Sequence, residues 1–341
     1  MWEQIRSNVT RSIFIIVLMG ALLLAIGYFI GFYLIGSAVA GLVIALIIWL
    51  IMSLVGYFQG GSILLGVSGA RKISKQDYPQ LFDVIEEMKI ASNLPAMPDI
   101  YIIDDQALNA FSTGRDPAHA SVAITSGLLQ KLNRDELQGV MGHEVGHIKN
   151  RDILLMSMAS VLLGSIVILA WIATRSLFFA GASPGGGRGR RGSGDGGGGI
   201  QIILVLIGLV LTILAPIFAQ LMYFALSRRR EYLADASSAL YTRYPEGLAL
   251  ALEKLEVSPA PVKKVNKATA PMYIVNPFRK NNQSREAASP FGTHPPTADR
   301  IRILRAMGGN SYVDYEKAYE QVHRGQGIVP KSALSTGQTA T

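Results

Sequence analysis

The sequence predicts an α+β integral membrane protein, with about four transmembrane helices and a polar α/β unit assembled from the segments between and after them. Three observations carry this. Half of the 341 residues are hydrophobic and 16% are charged, which is too apolar for an ordinary soluble domain. The excess is gathered into three charge-free stretches. Outside them the pattern changes to helical stripes and short strand-like runs.

The first stretch, Ser12 to Ala70, has no charged residue in 59 positions. At 1.5 Å per residue that exceeds one bilayer crossing, so two spans are expected, near Ile13–Tyr33 and Ser37–Tyr57, with a tight turn at "GFYLIGS". The run is too long for a cleavable leader and shows no A-x-A-like site. Ile153–Thr174 supplies a third span and Gly196–Ser227 a fourth, in which Pro216 is expected to kink the helix. The linker 175–199 is glycine- and arginine-rich low complexity, a flexible tether.

Between the second and third spans, "YPQLFDVIEEMKIA" repeats apolar residues at Leu81, Val84, Ile85 and Met88, a helical stripe. "PDIYIID", "LNAFSTG" and "ASVAIT" read as strands. Asn133 and Glu136 form a capping-box pattern that opens a long helix through "LQGVMGHEVGH". After the fourth span, "RRREYLADASSALY", "YPEGLALALEKLEV", "HPPTADRIRILRAM" and "YEKAYEQVH" read as helices. The expected division is 1–60, a membrane hairpin; 61–152, the first half of the polar domain; 153–226, a second hairpin; 227–325, the second half; and 326–341, a flexible tail.

The net charge of +8 is no nucleic-acid signal here. Arg6, Arg11, Arg71, Lys72, Lys75, Lys149, Arg151 and Arg228–Arg230 flank the apolar stretches, the distribution of a positive-inside protein. Four spans then put both termini and the polar domain in the cytoplasm. Four arginines in the 175–199 linker run against that bias. The chain has no cysteine, which removes disulfides and thiolate chemistry.

The chemistry is concentrated at His143-Glu144-Val-Gly-His147. Residues i and i+4 share a helix face, so two imidazoles can meet one metal ion with Glu144 beside them. This spacing suits tetrahedral zinc with an open position for water. Glycines 139, 142 and 146 lower helix propensity and point to close backbone packing. A histidine six residues after His147 is excluded as third ligand, because residue 153 is Ile. Glu231 lies just past the fourth span, as His147 lies just before the third. An antiparallel hairpin would bring them to one membrane face. Asp235, one turn on, could orient a ligand histidine. The alternative for both acids is a solvated pair beside the arginines.

"HEVGH" before a span, a second span, and then "EYLAD" resembles the HtpX family of membrane zinc metalloproteases, related to the CAAX prenyl endopeptidases. The resemblance implies a cytoplasmic zincin-like (gluzincin) metalloprotease domain. It implies one Zn2+ held by His143, His147 and Glu231, with Glu144 as general base and Asp235 behind the ligands. "NAFSTG" is similar to the family's edge strand, implying that Asn109, Ala110 and Phe111 bind extended substrate through backbone pairing. "HPPTADRI" is similar to its C-terminal motif, implying that His294 and Arg300 stabilise the oxyanion. His119 and His323 are expected at the surface. The implied activity is hydrolysis of peptide bonds in misfolded or damaged membrane proteins at the cytoplasmic face of the cell membrane, in quality control and stress response. Implied partners are polypeptides, mainly membrane proteins, and the lipid bilayer, with no nucleic acid.

A CAAX-type or intramembrane-type protease of narrower range is the competing reading. Asp135, Glu136, Lys149, Arg151 and Asp152 beside the motif argue against a submerged site. A metal transporter needs polar ligands at mid-membrane, and the four expected spans carry no Asp, Glu, Lys, Arg or His. A zinc-keeping scaffold would have no use for Glu144.

Overall fold

The computed structural model describes residues 2–32, 36–161, 228–258, 272–275, 294–323 and 327–335. Two long helices come first, α1 (Trp2–Ile30) and α2 (Ala38–Val67). Both are long and apolar enough to cross a membrane. They pack through small residues: a Cβ on Gly41 would fall 2.0 Å from the Gly27 carbonyl oxygen and 2.6 Å from Gly31 Cα. Trp49 lies where a Cβ on Gly20 would be, and its Nε1 donates to the Ile16 carbonyl at 3.0 Å. Close approach of this kind is how apolar helices associate where hydrocarbon offers no hydrophobic drive.

Both helices outrun the spans expected from hydropathy. α1 begins at Trp2, and α2 continues ten residues past Tyr57. Along that extension one face of α2 is covered: Gly60, Leu64 and Leu65 are buried, with Gly60 near Ser157 and Gly61 near Gly114, while Phe58 and Val67 still face outward. The stretch that looked like the exit from a span is therefore a docking surface for the polar domain.

The domain holds a four-stranded sheet of order β1-β2-β4-β3, from β1 (Ala70–Lys72), β2 (Asp99–Ile103), β3 (Ala110–Gly114) and β4 (Ala120–Thr125). β2 and β4 are parallel, with Ile100 opposite Val122, while β1 and β3 run antiparallel at the edges. The three strands read from the sequence are present. β1 was not read, because three residues with two charges carry no alternation to detect.

Helix α3 (Pro79–Ser92) buries the expected stripe of Leu81, Val84, Ile85 and Met88. A short α4 (Ser126–Lys131) follows β4, and α5 (Arg134–Lys149) carries the histidines. The capping box is formed: Asn133 Oδ1 accepts from Glu136 N at 2.9 Å, and Glu136 Oε2 accepts from Asn133 N at 2.9 Å. Lys254 donates to the same Glu136 carboxylate at 2.6 Å. After α5 the chain turns through Asn150 and Arg151, the latter at φ 58, into apolar α6 (Asp152–Val161).

The second half supplies α7 (Arg228–Thr242), α8 (Pro245–Val257), α9 (Thr297–Ala306), α10 (Tyr312–His323) and α11 (Lys331–Ser335). The expected third span is described only as far as Val161. The rest of it, the 175–199 linker and the fourth span lie outside the described residues.

Candidate metal centre

α5 lies against α7 at Gly142 and Gly146 and against α8 at Gly139. A Cβ on Gly139 would sit 2.6 Å from Leu248 N of α8, one on Gly142 3.0 Å from Ser238 Oγ, and one on Gly146 3.0 Å from Ser237 Cβ. Ser238 Oγ also donates to the Gly139 carbonyl at 2.7 Å. This approach places Glu231, on the first turns of α7, beside the histidines. One ligand atom each from His143, His147 and Glu231 lie within 4.8 Å of one another, and all three residues are buried. Among the described residues this set could hold a metal ion.

Each imidazole has its Nδ1 on a carboxylate. His143 Nδ1 meets Asp235 Oδ1 at 2.9 Å, and His147 Nδ1 meets Asp152 Oδ2 at 2.9 Å. Ionised carboxylates only accept, so each Nδ1 carries the proton and donates. Both Nε2 atoms are then left with lone pairs, yet they face each other at 3.2 Å. Glu231 adds its carboxylate, with Oε1 3.5 Å from His147 Nε2 and Oε2 3.7 Å from His143 Nε2. Electron-rich atoms brought so close need a positive charge between them. A proton or a metal cation meets that need, and the donor set fits a borderline cation such as zinc.

The electrostatics agree. Burial opposes a charge on His147, but the bond to Asp152 and the field of Glu231 overcome it and raise its pKa to about 9. Burial works against the Glu231 carboxylate too, but the three histidines hold its pKa well below the usual range. Glu144 differs. Burial raises its pKa against the pull of His143 and His147, and neither of its oxygens has an aligned hydrogen-bond partner among the described residues. Ser112 lies near enough to pull its pKa down as well, so Glu144 is a buried carboxylate beside a cation site with no aligned partner, the environment of a candidate base.

The Arg300 guanidinium sits behind Asp235. Its Nε donates to Oδ2 at 2.8 Å and its Nη2 to Oδ1 at 2.7 Å, a two-pronged pair. Burial alone would raise the Asp235 pKa, but Arg300 holds it low. The third prong, Nη1, donates to the Ile274 carbonyl at 2.9 Å. The oxyanion role implied for Arg300 therefore meets a competing geometry: its donors point at Asp235 and the main chain. His294, brought in ahead of α9, places Nδ1 3.4 Å from Glu231 Oε2 without hydrogen-bond alignment, and Nε2 likewise has no aligned partner among the described residues.

Asn109, Ala110 and Phe111 lead into edge strand β3, and all three are buried. Ile274 N donates to the Ala110 carbonyl at 3.1 Å, and Asn109 Nδ2 donates to the Val275 carbonyl at 3.0 Å. Tyr273 packs edge-on against Phe111 at 5.2 Å. The start of β3 is thus paired with the chain's own residues 272–275, which Arg300 ties to Asp235 and His143. His119 bonds Asp116 and exposed His323 bonds Tyr232, both away from the centre.

Two participants escaped the sequence reading. Asp152 was noted only as a charge flanking the motif, although it mirrors Asp235. No sequence signal marks it, because the left-handed residue before it is Arg151 rather than a glycine or asparagine. Residues 272–275 fall between the stretches "YPEGLALALEKLEV" and "HPPTADRIRILRAM" and carry no periodicity to show them.

Buried imidazoles turned onto one point by carboxylates, with a third acidic side chain from a second helix and a buried glutamate beside them, fit one class of protein, the metal-dependent peptidases. The profile of Peptidase family M48 matches residues 75–308. The "Protease HtpX homolog" of Dictyoglomus turgidum is 43% identical over 308 residues, covering 90% of this chain and 95% of that protein. The one from Streptococcus uberis is 42% identical over 307 residues, 90% of this chain and all of that one. The crystal structure of S. mikatae Ste24p overlays with a TM-score of 0.43 at 17% identity, over 89% of this chain and 67% of that one, a likeness too loose to argue from. The chain belongs to peptidase family M48, with the HtpX-type proteases. It is a metalloprotease and, with its two long apolar helices, a membrane protein.

Proposed function

We propose that the protein is a zinc-dependent endopeptidase of the cell membrane that cuts misfolded or damaged membrane proteins at the cytoplasmic face. His143, His147 and Glu231 hold one zinc ion. When bound, that ion lowers the pKa of water to about 7 and polarises a carbonyl. Glu144 accepts the proton of the water that attacks the scissile carbonyl and delivers it to the leaving amine, a task suited to its raised pKa. His294, whose Nδ1 lies toward Glu231, is the donor for the developing oxyanion through Nε2, which has no aligned partner among the described residues. Arg300 positions: it fixes Asp235, which fixes His143. The substrate adds as a strand to β3, exchanging with residues 272–275 for the Ala110 carbonyl.

A multi-pass topology, with both termini and the polar domain in the cytoplasm, follows from the basic residues flanking the apolar stretches. Surface-facing apolar side chains along α2 support its place in lipid. The division at residues 60, 152, 226 and 325 belongs to the same proposal.

The observation that carries the activity is the pair of Nε2 lone pairs facing each other at 3.2 Å beside Glu231 and the buried Glu144 carboxylate. Glu144→Gln tests it. The variant should bind zinc as the wild type does and lose cleavage of an unfolded polypeptide by at least about 100-fold, the low end of what a general base contributes. Cleavage at the wild-type rate would remove Glu144 from its role.

A further inference from the structure

Helix α1 does more than supply an apolar span. Of its polar residues, Asn8 (0% exposed) and Ser12 are buried, whereas Ile13, Phe14 and Val17 beside them face outward. Polar groups inside an apolar helix turn toward protein that can satisfy them, and Asn8 has turned toward the metal centre. Its Nδ2 donates to the Asn150 carbonyl at 3.0 Å and to Asp152 Oδ1 at 2.6 Å. The other oxygen of that carboxylate, Oδ2, accepts from His147 Nδ1. Ser12 Oγ donates to the Asn8 carbonyl at 2.9 Å.

The two ligand histidines are therefore oriented in the same manner from opposite sides. His143 leans on Asp235, held by Arg300 from within the polar domain. His147 leans on Asp152, whose Oδ1 accepts from Asn8, a residue 144 positions earlier in the chain, with the buried Arg230 guanidinium further off at 3.9 Å. A carboxylate can swing about its last torsion. Holding Oδ1 fixes where Oδ2 lies, and thus the plane of the His147 ring. The bond to the Asn150 carbonyl would suffice to dock α1 on the α5–α6 turn. The bond to Asp152 acts on the ligand.

We propose that Asn8 is a positioning residue of the metal centre, through which the first apolar helix sets the geometry of His147. The inference rests on His147 being a metal ligand. It makes α1 part of the enzyme as well as its anchor.

The test uses the full chain in detergent, stripped of metal and titrated with zinc against a chromogenic chelator, alongside kcat and KM on an unfolded polypeptide and the melting temperature. Loss of a direct partner of a ligand weakens metal affinity about 10–100-fold. One step further out, Asn8→Ala should weaken it about 3- to 10-fold, with kcat falling in proportion and KM unchanged. Asn8→Asp has the same shape but sets a second carboxylate against Asp152. At pH 8 it should bind zinc no better than Asn8→Ala, whereas a mere steric plug would leave it like the wild type. Trp49→Phe removes the bond to Ile16, loosening α1 on α2 without touching Asp152, and should keep wild-type affinity. Wild-type affinity and kcat in either Asn8 variant would overturn the proposal, as would an equal loss in Trp49→Phe. His147→Ala separates the two levels: full zinc binding there would defeat the assignment of the ligand itself, while its loss with normal Asn8 variants would defeat only the positioning role.

Discussion

Helices α2 and α5 invert each other. α2 is apolar and faces outward, with Ile51 and Leu54 each 56% exposed. α5 buries polar side chains along with apolar ones: His143, Glu144 and His147 are at most 4% exposed, beside Val140, Met141, Val145 and Ile148. In water alone both arrangements would be unfavourable. Each is explained by something other than water: hydrocarbon around α2, and for α5 a ring of carboxylates, a guanidinium and a cation. The contrast teaches that hydropathy says which residues are unusual, and that the partner decides whether they lie inside or outside.

The sharpest way to break this comparison is to leave a charge buried without its counter-charge. Asp235→Ala removes the carboxylate that Arg300 grips with two prongs. It should destabilise by about 3–5 kcal/mol, the usual cost of an orphaned buried charge, read as the loss of melting temperature in the metal-free protein. Slightly smaller is the converse change on the outward face. Leu54→Lys should cost about 2.5–3.5 kcal/mol if it sits mid-bilayer, seen as a lower folded fraction in lipid vesicles. A neutral result would take α2 out of the hydrocarbon.

Glycine substitutions sharpen the comparison at lower cost. Gly146→Ala meets Ser237 at 3.0 Å and must push α7, and Glu231 with it, away from the histidines. Destabilisation of about 1–3 kcal/mol is expected from overpacking, with weaker zinc binding. On α2, a Cβ at Gly66 meets nothing within 4 Å, so Gly66→Ala should be neutral or stabilise by up to about 1 kcal/mol. Equal effects at both sites would refute close packing as the reason for the glycines in α5.

A pH dependence tests the same centre without a substitution. Against the opposing effect of burial, the bond to Asp152 and the field of Glu231 push the His147 pKa of the metal-free protein up to about 9, from an ordinary value of 6.5. The raised value stabilises the folded chain fully below about pH 6.5, and that contribution is lost as pH rises through 9. Zinc needs the neutral ring, so zinc affinity should climb over the same window as metal-free stability declines. Parallel titration by calorimetry and by chelator competition would show the two trends crossing; trends of the same sign would contradict the assignment.

How much of this was legible in the sequence varies with range. The helix of the two histidines could be read because a four-residue spacing and the Asn133–Glu136 box are local, and the box forms as written. Glu231 and Asp235 could be proposed only because two apolar stretches offered a reason for distant residues to meet. Asn8, Asp152 and Ile274 could not be read. Their partners are set by helix docking and by a left-handed turn at Arg151, which leave no periodic trace. Arg300 lies in the neighbourhood that the resemblance implied, but its bonds to Asp235 and the Ile274 carbonyl and its approach to Glu231 at 3.8 Å come from long-range packing that a local motif does not show.

The most direct measurement is the zinc content of Glu231→Ala beside the wild type, each purified in detergent and dialysed against the same free zinc. Three-ligand coordination by His143, His147 and Glu231 predicts about one ion per wild-type chain and a variant left largely without metal. A variant that keeps its full complement would contradict it, since the carboxylate from α7 would then have no part in holding the ion.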